Sequence, residues 1–417
     1  MERNKLYLVL SIVACFVSVG LGAKVKPGIE VLEESGFYTL EGKRVGLVTN
    51  PTGVDSRLRS TIDILFKAPQ VQLVALFAPE HGVRGDVYAG AKVDSSVDSK
   101  TGLPVHSLYG NTRKPTPEML KGIDVMIYDI QDIGTRSYTF ISTLGLVMRA
   151  CAEKGISVMV LDRPNPLGGN KIEGPCVKDG FHSFVSQYKI PYIYGLTVGE
   201  LAALINEEGL NCGQKGDEAP LHCDLCVVPM EGWTRDMLFH DTGLPWVATS
   251  PNIPYSESTL CYPSSGLCGE MYNYLNIGIG YTLPFATFAE EWVDADKLKA
   301  RLDSYNIPGV AWRTIHYKPT SGRLNGKLIH GVQFYYIDFD SAPITLTQFY
   351  VMQAIKELYG REPFSSNSQR WSMFDKVCGS DKIRIEFTKR MKVEDMKSLW
   401  DADIKSFREL SSKYLIY

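Results

Sequence analysis

The sequence predicts an α/β protein, with a Rossmann-like parallel sheet flanked by helices and a smaller C-terminal α+β domain. Three observations carry this. From Lys43 to about Pro229, apolar runs of strand length alternate with segments of helical period, the pattern of parallel strands joined by crossover helices. Those runs lack a clean apolar–polar alternation, as expected when helices cover both faces of a sheet. After about residue 250 the regularity stops, and a Gly-, Cys-, Tyr- and Asn-rich stretch at Leu260–Tyr281 leads into scattered strands and helices. A chain of 417 residues is longer than one hydrophobic core usually serves. The expected division is residues 24–255 for the first domain and 256–417 for the second.

The first 23 residues are set apart. Arg3 and Lys5 precede the apolar run Leu6–Val19, and Gly20, Gly22 and Ala23 follow, the layout of a secretory signal peptide. The run is short for a membrane span. Export to the periplasm or the exterior is expected. Ile12-Val13-Ala14-Cys15 also resembles a lipoprotein cleavage box, which leaves anchoring through Cys15 open.

Lys43–Thr49 is the first strand, ending in the breaker-rich turn Asn50-Pro51-Thr52-Gly53. Asp55 or Ser56 is expected to cap a helix with Leu58, Ile62 and Leu65 on its apolar face. Val71–Ala78 is the second strand. The polar excursion Pro79–Thr116 follows, with a short strand at Val105–Leu108, and such long loops are usually functional. Ile123–Tyr128 is a strand, Thr139–Lys154 a helix stopped by Gly155, and Ile156–Leu161 the next strand. Thr197 and Glu200 form a capping box ahead of Leu201–Ile205, and Asp224–Pro229 is a last strand. In the second domain, strands are expected at Ala311–Tyr317 and Val332–Phe339, and helices near Ile344–Leu358 and Val393–Tyr414.

Bulk properties exclude some partners. A formal charge of −3, with Lys and Arg scattered, offers no basic footprint for nucleic acid. Cys212, Cys223 and Cys226 lie close enough for a disulfide in an oxidising compartment. His222 and these cysteines do not complete a zinc spacing. No GxGxxG, P-loop or GxSxG element is present, and Glu80, His81, Asp86 and His106 match no metal-ligand spacing. No cofactor and no metal are therefore expected. Oligomeric state is not readable.

Three strand ends present polar groups together: Glu80-His81, Asp129-Gln131-Asp132 and Asp162-Arg163-Asn165. In a parallel sheet the carboxyl ends share one rim, where ligands bind. Arg84, Arg136 and Arg163 are expected to surround that rim with positive charge suited to an anionic substrate. A strand-end carboxyl raised in pKa by burial is what protonating a glycosidic oxygen at neutral pH requires. Glycoside hydrolysis usually uses two carboxyl groups, here Glu80 with Asp129 or Asp132.

At these motifs the chain resembles the bacterial exo-acting β-N-acetylmuramidases, a glycoside hydrolase family first known as a domain of unknown function. The resemblance lies in NPTGVDSRLRSTIDIL, LFAPEHGVRGDVYAGAKV, TGLPVHSLYGNTRKPTPEML, GIDVMIYDIQDIGTRSYTFISTLG, VLDRPNPLGG, YGLTVGELA, VVPMEGWTRDM and TGLPWVATSPNIP. It runs from about residue 28 to the C-terminus. It implies a Rossmann-like catalytic domain, a smaller domain closing a cleft, and release of terminal non-reducing N-acetylmuramic acid from peptidoglycan fragments. It also implies Glu80, in PEHG, as catalytic acid. Asp129 or Asp132 is then expected to stabilise the transition state or position water. Candidate substrate contacts are Asn50, His81, Arg84, Gln131, Arg136, Tyr138, Arg163, Asn165, Asn252 and Glu270, with the arginines meeting the lactyl carboxylate of muramic acid. The segment SSGLCGEMYNYLNIGIGY departs from the commoner family pattern, which points to altered specificity within the same reaction. The rival readings are a peptidoglycan-fragment binding protein without turnover and a metal-assisted hydrolase at the same rim.

Overall fold

The computed structural model describes residues 25–79, 82–85, 96–211, 220–271, 273–364 and 368–417. The signal-like segment, Cys15, Glu80, His81, Asp86 and Cys212 lie outside the described residues. The first domain is built on a sheet of β1 (Arg44–Thr49), β2 (Gln72–Ala78), β3 (Ser96–Val97), β4 (Pro104–Ser107), β5 (Val125–Asp129), β6 (Ser157–Leu161) and β7 (Leu225–Val228). Their spatial order is β3-β4-β2-β1-β5-β6-β7. All neighbours pair parallel except β3 with β4.

Burial on both faces explains the unalternating strand sequences. Leu47, Leu76, Ile127 and Leu161 pack under α1 (Gly28–Glu34) and α2 (Thr61–Lys67). Their chain neighbours Val48, Phe77, Met126 and Val160 pack with α3 (Phe140–Ala152) and α4 (Val198–Glu207) on the other face. Successive strand residues point to opposite faces, so two apolar layers require an apolar residue at every position. Winding proceeds from β1 to β2 on one side and to β5 on the other. The crevice at the carboxyl ends of β1 and β5 is therefore a topological switch point.

The second domain contains α5 (Glu257–Gly269), β8 (Thr287–Glu290), α6 (Ala295–Asp303), β9 (Val310–Tyr317) and β10 (Ile329–Tyr336). It continues with α7 (Thr347–Tyr359), α8 (Ser368–Cys378), α9 (Lys382–Arg390) and α10 (Asp401–Ser411). Its sheet is antiparallel in the order β8-β10-β9. The core includes Phe288, Val332, Phe349 and Phe387. The chain then returns to the first domain. Phe407 of α10 enters the layer beneath α3 and α4, and the Tyr417 ring meets Trp233 edge-on at 5.1 Å.

Several expected elements are corrected. The helix after the first turn begins only at Thr61, because Leu58 adopts φ +64° and is exposed. Asp55 accepts from the amides of Arg57 and Arg59 at 2.9 and 2.7 Å, closing a turn rather than capping a helix. Helix α5 occupies much of the stretch read as irregular, and α8 and α9 are additional. Cys223 and Cys226 are free thiols.

Candidate active site

The turn after β1 is built by side chains that close on one another. Thr49 Oγ1 donates to the Asp129 carbonyl at 2.8 Å. The Asn50 side-chain oxygen accepts from the Thr52 amide at 2.9 Å and from its hydroxyl at 2.5 Å. The Gln131 amide then donates to Thr52 Oγ1 at 2.9 Å, stitching β1 to β5 across the switch point. Gly53 is required here, since a Cβ would lie 2.1 Å from Thr49 Oγ1. Asn50 is thus a turn-former with its oxygen already used.

After β2 the described chain stops at Pro79 and resumes at Gly82, whose amide donates to the Pro79 carbonyl at 3.3 Å. Arg84 does not face the rim crevice. Its guanidinium reaches Asp98 at 2.5 Å and Asp63 of α2 at 3.1 Å. That pairing holds the Asp98 carboxyl well below the usual range.

The end of β5 separates two aspartates. Asp129 is wholly buried. It receives Arg163 Nε at 2.5 Å and Nη2 at 3.0 Å, and the Thr61 hydroxyl at 2.5 Å. Both oxygens are occupied, so the expectation that Asp129 itself meets the reacting sugar is corrected. It is the anchor that orients Arg163. Among the described residues no cation pairs with Asp132. One oxygen accepts from the Tyr194 hydroxyl and, at 2.9 Å, from the Gly134 amide. The other, Oδ1, is buried and has no hydrogen-bond partner among the described residues. Burial pushes its pKa from 3.8 up to about 6, against the opposing pull of those hydrogen bonds. A carboxyl so placed can give or take a proton near neutrality.

The remaining rim residues divide by partner. Gln131 Nε2 donates to the carbonyls of Asp132 and Pro164, each at 2.8 Å. Asn165 donates to the Leu196 carbonyl and accepts from the Leu167 amide, both at 2.9 Å. Asp162 accepts from the Gly199 and Arg163 amides and from the hydroxyls of Thr197 and Tyr417, and burial raises its pKa to about 6. Gln131 and Arg163 line a crevice with Thr52, Asp55, Phe239 and Trp246. The crevice is narrow, with room for about one water.

Arg136 is also corrected. It is 1 % exposed, and its guanidinium donates to the carbonyls of Pro175, Ile190 and Val377 at 2.6–2.7 Å. It ties the first domain to α8 and presents nothing to a ligand. Arg136 is thus committed to protein acceptors, while Arg84 and Arg163 are each held by aspartates, Asp98 with Asp63 and Asp129 respectively.

The rim faces the second domain through its next residues. Ser137 Oγ lies 3.1 Å from the Tyr262 hydroxyl of α5. The Tyr138 ring meets that of Tyr262 edge-on at 6.0 Å, and its hydroxyl donates to Thr249 at 2.9 Å. Asn252 belongs to the same turn, its amide donating to Ser250 Oγ at 3.2 Å. Asn252 and Glu270, at the end of α5, are half-buried. The sequence did not single out Tyr194, although it opens the YGLTVGELA motif, nor Thr61 and Tyr417, which lack any local signature.

Comparisons with known proteins agree with this architecture. Family models described as exo-β-N-acetylmuramidase NamZ, N-terminal and C-terminal, match residues 45–257 and 260–417. The protein is a two-domain α/β glycoside hydrolase. More narrowly, the chain belongs to the exo-β-N-acetylmuramidase NamZ family. It is 44% identical over 395 residues to the peptidoglycan β-N-acetylmuramidase NamZ of Bacillus subtilis (strain 168), covering 94% of this chain and 92% of that protein. A crystal structure of a DUF1343 family protein from Bacteroides fragilis NCTC 9343 superposes with a TM-score of 0.89 at 52% identity, covering 94% of this chain and 99% of that one. A second DUF1343 protein from the same organism gives 0.75 at 27% identity, covering 95% and 99%.

Proposed function

We propose that this protein is an exo-β-N-acetylmuramidase that hydrolyses terminal, non-reducing N-acetylmuramic acid from peptidoglycan fragments in cell-wall turnover. The observation that carries this is the family match across both domains, including the intact Pro79-Glu80-His81-Gly82 motif. Glu80 is the general acid that protonates the leaving glycosidic oxygen. Asp132, the rim carboxyl whose Oδ1 has no hydrogen-bond partner among the described residues, is the second carboxyl group and serves the oxocarbenium-like transition state or the attacking water. His81 orients Glu80 or holds a sugar hydroxyl. Asn252, Glu270 and Tyr138 bound the substrate from the second-domain side. Residues 1–23 direct export, which would bring the protein to the cell wall where its substrate arises.

The test is incubation with the disaccharide MurNAc-β-1,4-GlcNAc and product analysis by mass spectrometry, for wild type and Glu80→Gln. Free N-acetylmuramic acid from wild type, with turnover lowered about 10²–10⁴-fold in the variant, is the expected result. Unchanged turnover in Glu80→Gln would remove the acid assignment. Binding by wild type without product would leave a binding protein instead.

A further inference from the structure

We propose that His316 and His330 form a two-imidazole site for a divalent transition-metal ion, on the second-domain sheet and apart from the rim. Strands β9 and β10 pair antiparallel with His316 directly opposite His330. Directly opposed residues share a face with their Cβ atoms about 5 Å apart. The two Nδ1 atoms lie 2.7 Å from each other, and the ring centroids are 5.0 Å apart. Two neutral imidazoles in that contact share a single proton, one Nδ1–H donating to the other Nδ1. If the donor ring carries its proton on Nε2 instead, both Nδ1 lone pairs converge on one point without any net gain or loss of protons. Metal–nitrogen bonds of about 2.0–2.1 Å at a tetrahedral angle then require the rings to part by only about half an ångström.

The surroundings permit this. His316 is exposed and His330 half-buried. Glu290 faces His330 from β8, but its carboxylate is held by Arg323. Among the described residues no three His, Cys, Asp or Glu side chains cluster for a metal, so water completes the coordination. Imidazole ligands favour Cu²⁺, Zn²⁺ and Ni²⁺ over Mg²⁺ or Ca²⁺. The bound ion would cross-link an edge strand to the central strand of its sheet.

Calorimetric titration of ZnCl₂ into the full chain at pH 7.5 tests this, with His316→Ala, His330→Ala, the double variant, and His240→Ala as control. One ion per chain is expected for wild type and His240→Ala. Either single variant loses about 10²-fold in affinity, because the second imidazole binds intramolecularly, and the double variant loses little more. With CuSO₄, paramagnetic resonance of wild type should show two equivalent-type nitrogen ligands, reduced to one in each single variant. Undiminished Zn²⁺ binding in the double variant, or none by wild type up to millimolar metal, would overturn the proposal.

Discussion

Asp129 and Asp132 stand three positions apart at the end of one strand and meet opposite surroundings. Asp129 is met by a bidentate guanidinium and Asp132 by a phenol and an amide in a buried position. The raised pKa of Asp132 has a thermodynamic sign. Between about pH 4 and 6 the folded state holds a proton that the unfolded chain has released, so stability falls as pH rises through that window and stays lower above it. The move from 3.8 to about 6 corresponds to about 3 kcal/mol. Asp132→Asn, which never ionises, should flatten part of this slope in urea unfolding measured from pH 4 to 8, and be more stable than wild type at pH 7. The same variant should lose most turnover of the disaccharide. Loss of stability at pH 7 would contradict the burial account, whereas normal turnover would contradict the catalytic one. The sequence located both carboxyls at the rim, but it could not assign their partners. Thr61 and Tyr194 are 68 and 62 positions away from their aspartates, and nothing local marks such pairings.

At the level of elements, what was legible had a local cause. The Thr197–Glu200 box is present as expected, with the Glu200 amide donating to Thr197 Oγ1 at 3.2 Å and the Thr197 amide to Glu200 at 3.0 Å. The central strands were legible because two apolar layers demand unbroken apolar runs. Helix α5 was not, since ESTLCYPSSGLCG carries an internal Pro263 and little apolar periodicity, and its position is fixed by tertiary contacts instead. Ser265 Oγ donates to the Phe285 carbonyl at 2.8 Å, and the Cys268 amide to Gln348 at 2.9 Å. Likewise the start of α2 was misplaced because Leu58, apolar and in helical register, sits exposed in a left-handed turn. Thr197 does more than cap, as its hydroxyl also donates to Asp162 at 2.7 Å. Thr197→Ala should therefore cost about 2 kcal/mol, about one for the cap and about one for the lost hydrogen bond. Thr197→Ser should recover most of it, as measured by denaturant midpoint.

Across the whole molecule, the two domains are joined by buried polar contacts as well as by apolar packing. Arg136 gathers carbonyls from both domains around one guanidinium, and burial pushes its pKa down to about 10 while leaving it charged at physiological pH. Arg136→Ala strands three buried carbonyls, a loss of about 3 kcal/mol or more. Because Val377 belongs to α8, the variant should also unfold with a lower denaturant dependence, as the halves separate. A single sharp transition at the wild-type midpoint would show the contact to be dispensable. The return of the chain has a consequence of another kind. The Tyr417 hydroxyl donates to Asp162 at 2.8 Å and accepts from the Met230 amide at 2.7 Å, and the Ile416 amide donates to Glu200 at 2.9 Å. A nascent chain emerges from the ribosome N-terminus first, and domains usually fold in that order. Here the sheet of the first domain can assemble early, yet the polar seal over Asp162 waits for Tyr417, 255 positions further along the chain.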